Sequence, residues 1–250
     1  MASNVTLLGI SGPSSSGKTT LARLLRSILL QGGHHAFIIH EDDFYVTDQQ
    51  IPIHEKTGLQ DWDCIEAIDV GAFEQALRHI KDHGASPPHL QSKEDQNSVG
   101  KVDIDDRTIT RLVNSSRATH LPQKSVVAII DGFLLYTPAL EAVYSLMDVR
   151  MFLPLTRDLM ISRRSARSGY VTLEGFWEDP PGYVEEVVWP NYAKDHAFLF
   201  NDGDVEGELK KEQVDTMQLR VAHASAMQDI NVCLDWAWQT LERHFTSQMR

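Results

Sequence analysis

Apolar positions along this chain fall into short unbroken runs that alternate with longer striped segments. Val5–Ile10 is such a run, stopped by Ser11-Gly12. A run of this length, followed by glycine, predicts a strand covered on both faces of a sheet. From Thr19 to Leu30 the pattern changes. Leu21, Leu24, Leu25, Ile28 and Leu29 recur at helical spacing, and Gln31-Gly32-Gly33 supplies the glycine that closes a last turn. Ala36–Ile39 is a second apolar run, so strand, helix and strand predict a βαβ unit with a parallel pair.

A second helix is expected between Glu66 and His83, on a stripe of Ala72, Phe73, Ala76, Leu77 and Ile80. Residues 84–124 lose the pattern, because Gly, Ser, Pro, Asn, Asp and Lys dominate there. They read as a polar insert with one short helix near Asp106–Asn114. Val126–Ile130 and Val149–Leu153 predict two more strands, Thr156–Ser168 a basic helix, and 169–190, rich in Gly, Pro and aromatics, a lid-like loop. Ala197–Phe200 reads as a last short strand. Residues 213–248 are expected to form a C-terminal helix, with its stripe on Ile230, Leu234, Ala237 or Trp238, Leu241 and Phe245. The alternation predicts one α/β domain over 1–250: a doubly wound, mostly parallel five-stranded sheet with helices on both faces.

Composition narrows the partners. With 35 acidic and 23 basic residues the formal charge is −12. That balance argues against a nucleic acid or an anionic membrane, which need a basic face. A few local cations still suffice for a nucleotide. Cys64 and Cys233 are too few and too far apart for a disulfide framework or a zinc site, which suggests a reducing compartment. No signal peptide is evident, and no apolar run reaches the ~20 residues of a membrane span. The cytoplasm is the expected location, with the nucleus as a second.

Gly12-Pro13-Ser14-Ser15-Ser16-Gly17-Lys18-Thr19 fits G-x-x-x-x-G-K-[ST], with Thr20 following. The glycines let the backbone curl so that successive N–H groups face one anion, and the helix behind adds its positive end. Lys18 is placed to reach the β- and γ-phosphates, and the Thr19 hydroxyl to ligate Mg²⁺. The motif sits between a predicted strand and a predicted helix, the context of a P-loop NTPase. A GTP switch protein would carry Asn-Lys-x-Asp, yet no asparagine here precedes lysine.

Two acidic stations follow strands. His40-Glu41-Asp42-Asp43-Phe44-Tyr45 leaves the second strand, and in an open α/β sheet ligands lie beyond the carboxyl ends. Asp42 or Asp43 is placed to deprotonate an acceptor hydroxyl and to hold Mg²⁺ through water. Asp131, in Asp131-Gly132-Phe133-Leu134-Leu135-Tyr136, has the form of a Walker B carboxylate, serving Mg²⁺ or the acceptor. Arg157, Arg163, Arg164 and Arg167 mark the basic helix, and Arg163 and Arg167 share a face suited to phosphate.

These stations, with Leu59-Gln60-Asp61-Trp62-Asp63, Asp179-Pro180-Pro181-Gly182-Tyr183 and Trp189-Pro190-Asn191-Tyr192, resemble the nicotinamide riboside kinases, in particular their fungal branch. The resemblance covers about 1–82 and 125–205. It implies ATP or GTP as donor, Mg²⁺, and transfer to the 5′-hydroxyl of nicotinamide riboside, a small-molecule nucleoside, with nicotinic acid riboside as a further acceptor. It implies Asp42 as general base, Thr19 with Asp42 on Mg²⁺, and Lys18 on the transferring phosphate. Residues Gly12 to Thr20, with Arg163 and Arg167, would hold the nucleotide. Asp42, Asp43, Phe44, Tyr45 and Asp131 would line the acceptor site. Asp63 would hold the ribose hydroxyls, Trp62 the nicotinamide ring, and Arg164 the nucleoside. The sequence departs where human-like members carry Glu for Asp131 and Tyr for Trp62. The longer lid leaves Tyr170, Phe176 and Trp177 as candidates for the second aromatic. A uridine/cytidine kinase is the alternative of the same fold.

Overall fold

A computed structural model describes residues 5–92, 102–119, 125–166, 169–171 and 176–248. Five strands form one parallel sheet: β1 (Val5–Ser11), β2 (His35–His40), β3 (Val126–Gly132), β4 (Val149–Phe152) and an edge strand, Leu219–Val221. A separate two-residue antiparallel pair, β5 (Tyr170–Val171) and β6 (Phe176–Trp177), lies between β4 and that edge strand, which is therefore β7. The spatial order is β2-β3-β1-β4-β7. In register, Ile10 stands beside Asp131 and Ser11 beside both Gly132 and Phe152.

Successive residues of the central strands feed two cores, as alternating side chains must. Leu7, Ala128 and Ile130 join one cluster with Phe73, Leu77 and Ile80 of α2 (Val70–His83). Leu8, Ile10, Val127 and Ile129 join the other with Leu21, Leu25 and Ile28 of α1 (Lys18–Gln31). Local chemistry bounds α2: Asp69 accepts from the Ala72 amide at its start, and Gly84, at φ 68°, takes the left-handed turn at its end.

The 84–124 insert is less loose than its composition suggests. Its helix α3 runs Asp106–Ala118, longer than the expected Asp106–Asn114, and buries Leu112 and Val113 in the α1 core. Residues 93–101 and 120–124 of the insert lie outside the described residues. Beyond the short α4 (Glu141–Tyr144), the basic helix is α5, Arg157–Ser165. The lid-like stretch turns helical at Val184–Val188, leading into α6 (Trp189–His196).

Two expectations are corrected. Ala197–Phe200 is no strand: Ala197–Leu199 is a 3₁₀ turn, and Phe200 makes only an isolated bridge to Leu209. The fifth strand is β7, too short to read as an apolar run. The segment 213–248 is also not one helix. It holds the end of α7 (Lys211–Thr216), β7, α8 (Ala224–Gln228) and α9 (Ile230–Gln248). The stripe foreseen for α9 holds, with Leu234, Ala237, Trp238, Leu241 and Phe245 all buried.

The chain leaves β1 toward β2 and β3 on one side, and leaves β3 toward β4 on the other. The ends of β1 and β3 therefore flank the topological switch, where a doubly wound sheet opens its crevice. No described helix is long and apolar enough to cross a membrane.

Candidate active site

The loop from Gly12 to Gly17 joins β1 to α1 at that crevice. Gly12 has φ 154° and Gly17 φ 96°, and Ser15 also sits in the left-handed region at φ 60°. A Cβ on Gly12 would run into the carbonyl of Leu153, so only glycine fits. A curled, glycine-bounded loop at the start of a helix has the form of an anion site. The hydroxyls of Ser15 and Ser16 are buried without a protein partner. The Lys18 ammonium donates back to the Pro13 carbonyl at 2.9 Å, and Arg163 reaches the Ser15 carbonyl at 3.4 Å. Arg167 lies outside the described residues.

Asp131, at the end of β3, is buried against this loop. Its Oδ2 accepts from the Thr19 hydroxyl at 2.5 Å, and its Oδ1 from His40 Nδ1 at 2.5 Å. Burial alone would raise the carboxyl, but the charge and hydrogen bond of His40, with the Thr19 hydroxyl, hold it below the usual range. These bonds tie Asp131 to the first turn of α1 and to the end of β2.

The acidic turn after β2 separates its carboxylates. Glu41 is fully buried and accepts from the Leu134 amide at 3.1 and 3.2 Å, tying the turn to the end of β3. It lies so close to Gly132 that any side chain there would strike it. Burial, then the neighbouring Asp42, pushes its pKa well up. Asp43 turns back to the His40 amide at 3.4 Å and caps the turn. Asp42 alone stays partly open. Burial and then the charge of Asp131 push it up to about 6, against the pull of His40 and Lys18. Phe44, expected at the acceptor site, instead stacks on Phe73 in the core at 4.5 Å.

Across the crevice lies a second polar cluster. Asp63 Oδ2 accepts from the Tyr183 hydroxyl at 3.1 Å, and Oδ1 from Arg164 Nη1 at 3.3 Å. The Tyr183 oxygen in turn accepts from the Trp62 amide at 3.0 Å. Asn191 donates to both oxygens of Asp61 at 2.8 and 2.9 Å, and Asp61 accepts from the Asp63 amide, fixing the bend. Trp62 packs edge-on to Tyr45 at 5.3 Å and against Trp177 at 5.7 Å. Of the three lid aromatics foreseen, Trp177 is the one whose ring lies against Trp62; the side chains of Tyr170 and Phe176 are outside the described set.

The structure thus brings Lys18, Thr19, Asp42 and Asp131 together, and joins Asp63, next to Trp62, to the phosphate loop through Arg164. Sequence reasoning gave no role to His40, Asp179 or Tyr183, and counted Glu41 only in an acidic surround for a cationic ring. Asp179 and Tyr183 lie in the quoted Asp179-Pro180-Pro181-Gly182-Tyr183, so the signal was present without a role. His40 carried no pattern beyond ending a strand.

Comparison with known proteins agrees with this geometry. Residues 7–169 match the "Phosphoribulokinase / Uridine kinase family". The chain is 40% identical over 208 residues to a nicotinamide riboside kinase of Schizosaccharomyces pombe, covering 83% of this chain and 86% of the relative. It is 37% identical over 203 residues to that of Eremothecium gossypii, covering 81% and 80%. It is 36% identical over 206 residues to that of Saccharomyces cerevisiae, covering 82% and 83%. Similarity of this depth along most of both chains places the protein in the nicotinamide riboside kinase branch of the phosphoribulokinase and uridine kinase family.

Proposed function

We propose that this protein transfers a phosphoryl group from ATP or GTP to the ribose 5′-hydroxyl of nicotinamide riboside, giving nicotinamide mononucleotide. One arrangement carries the reading. A phosphate cradle and an anchored carboxylate, Asp63, meet at the Arg164 guanidinium, which touches both, through Ser14 Oγ at 3.0 Å and Asp63 Oδ1 at 3.3 Å.

In this reading Lys18 leaves the Pro13 carbonyl to follow the phosphoryl group, where charge is spread over three oxygens. Asp42 accepts the proton of the attacking hydroxyl, and a pKa near 6 suits a base at neutral pH. Thr19 and the carboxylates of Asp42 and Asp131 are hard oxygen donors that fit Mg²⁺. No group of three or more His, Cys, Asp or Glu gathers among the described residues to hold a metal alone. Mg²⁺ bound there would complete its shell with phosphate oxygens and water. When bound, Mg²⁺ neutralises charge on the transferring phosphates. Asp63 accepts from the ribose hydroxyls, and an aromatic wall of Trp62, Tyr45 and Trp177 meets the pyridinium ring. Such a face attracts a cation by roughly 0.5–2 kcal/mol.

A panel of nucleosides with ATP and Mg²⁺, read by product mass, tests this. Nicotinamide riboside should exceed uridine in kcat/KM by at least ~10-fold, about 1.4 kcal/mol. Nicotinic acid riboside, which keeps the ring cation, should also be phosphorylated. Uridine or cytidine as the better substrate would replace this reading with a pyrimidine nucleoside kinase.

A further inference from the structure

Arg164 is buried near the end of α5, and its donors are divided between three elements. Nε and Nη2 form a fork on Asp179, at 2.7 and 2.8 Å. That leaves the other edge of the plane, Nη1, directed at Ser14 Oγ in the phosphate loop and at Asp63 Oδ1. Asp179 is itself held, because the Trp177 indole donates to its Oδ1 at 3.0 Å. The guanidinium also lies over the Tyr183 ring, 6.0 Å from its centroid, and Tyr183 hydrogen-bonds Asp63. A two-point fork fixes a guanidinium in plane and direction, which one contact does not.

We propose that Asp179 is a positioning residue whose fork on Arg164 makes that guanidinium a shared clamp, so that nucleotide and nucleoside each tighten the binding of the other. The inference rests on the substrate reading above. Asp179 touches neither reacting group; it acts through Arg164. Phosphates seated in the cradle order Ser14, and Ser14 then fixes Nη1, the atom that also orients Asp63. Whichever ligand arrives first orders the shared nitrogen, and the second no longer bears that ordering cost. This produces positive, reciprocal coupling. Without the fork, the plane of the Arg164 guanidinium is no longer fixed from the Asp179 side, and the link between Asp63 and the loop loosens.

The test is calorimetric, on the full chain. Nicotinamide riboside is titrated with and without the β,γ-imido analogue of ATP and Mg²⁺, and the analogue with and without the riboside. Wild type should show the same tightening in both directions, at least ~5-fold. Asp179→Asn keeps the side-chain shape and should reduce it to under ~2-fold. Ser14→Ala, a substitution in the loop that leaves the buried ion pair intact, should do the same. The double variant should lose no more than either single one, as members of one chain of contacts do. Coupling of wild-type size in folded Asp179→Asn or in Ser14→Ala overturns the proposal. So does a lowered Tm in Asp179→Asn with coupling intact, the mark of a purely structural ion pair. Failure of the riboside to bind wild type under both conditions overturns the substrate reading instead.

Discussion

Asp42 and Asp43 are identical in chemistry and adjacent in sequence, yet the fold gives them opposite work. Asp43 is consumed in capping its own turn, while Asp42 stays open to the crevice beside Asp131, His40 and Lys18. The residues alone named the pair and the family resemblance chose Asp42; position and charge could not, because the choice depends on which carboxylate the 3₁₀ turn folds back on itself. Asp42→Asn should lower kcat by about 10²–10⁴ with little change in nucleoside affinity, as loss of a general base does. A stability signature should accompany it in the ligand-free protein. The pKa of Asp42 rises from 3.8 in the unfolded chain to about 6, so folding favours its neutral form. The stability it contributes is full below the lower value and is lost as pH rises through the upper. The neutral asparagine should therefore raise Tm at about pH 7.5, and the gain should vanish near pH 4. An unchanged kcat, or a raised KM as the sole defect, would move the base to Asp131.

At the scale of elements, legibility followed how local the determinants were. The strand, loop and helix around Lys18 were readable because the glycines, the helical stripe and the β-run all lie within about thirty residues and serve one geometry. α3 was half legible. Its stripe is short, its surroundings are polar, and its burial depends on α1 and α9, distant in sequence. There the Trp238 indole donates to Ser115 Oγ, and Ser115 donates to Glu242 at 2.7 Å, so the helix is pinned as well as packed. The strand expected at Ala197–Phe200 failed for a related reason: Leu199 and Phe200 are buried, but as turns against the sheet rather than within it. β7 was invisible because a strand of three residues, Leu219–Val221, with an exposed Arg220, carries no periodicity. If α3 belongs to the core, Leu112→Ala should cost about 2–5 kcal/mol, a fall in Tm of about 5–15 °C. A change under about 2 °C in a thermal melt would return the segment to a loosely held insert.

Over the whole molecule, the two faces of the sheet differ in what they carry. The α1, α3 and α9 face is an apolar slab. The crevice lies at the carboxyl ends of the strands, where α1 begins, and Glu41, Asp43, Asp61, Asp63, Asp131 and Arg164 are buried around it. Acid stability should therefore be a contest of opposite signs. Burial raises Glu41, Asp42 and Asp63, so protonating them as pH falls favours the folded state. His196 opposes them. It is fully buried, stacked on Tyr192 at 4.3 Å and near Phe152 at 6.3 Å, and its Nδ1–H donates to the Tyr192 carbonyl. Burial lowers its pKa from 6.5 to about 4. The stability it contributes is full above the unfolded value and is lost as pH falls through the folded one, because the unfolded chain takes up the proton first. At about 1.4 kcal/mol per unit, that is ~3 kcal/mol between neutrality and pH 4. Phenylalanine fits an aromatic stack and does not titrate. His196→Phe should therefore flatten the decline of Tm between about pH 6.5 and 4, or turn it into a rise as the buried carboxyls take over. A variant whose Tm falls as steeply as that of the wild type across that window would show that folding does not depress the titration of His196, and that acid sensitivity resides elsewhere in the molecule.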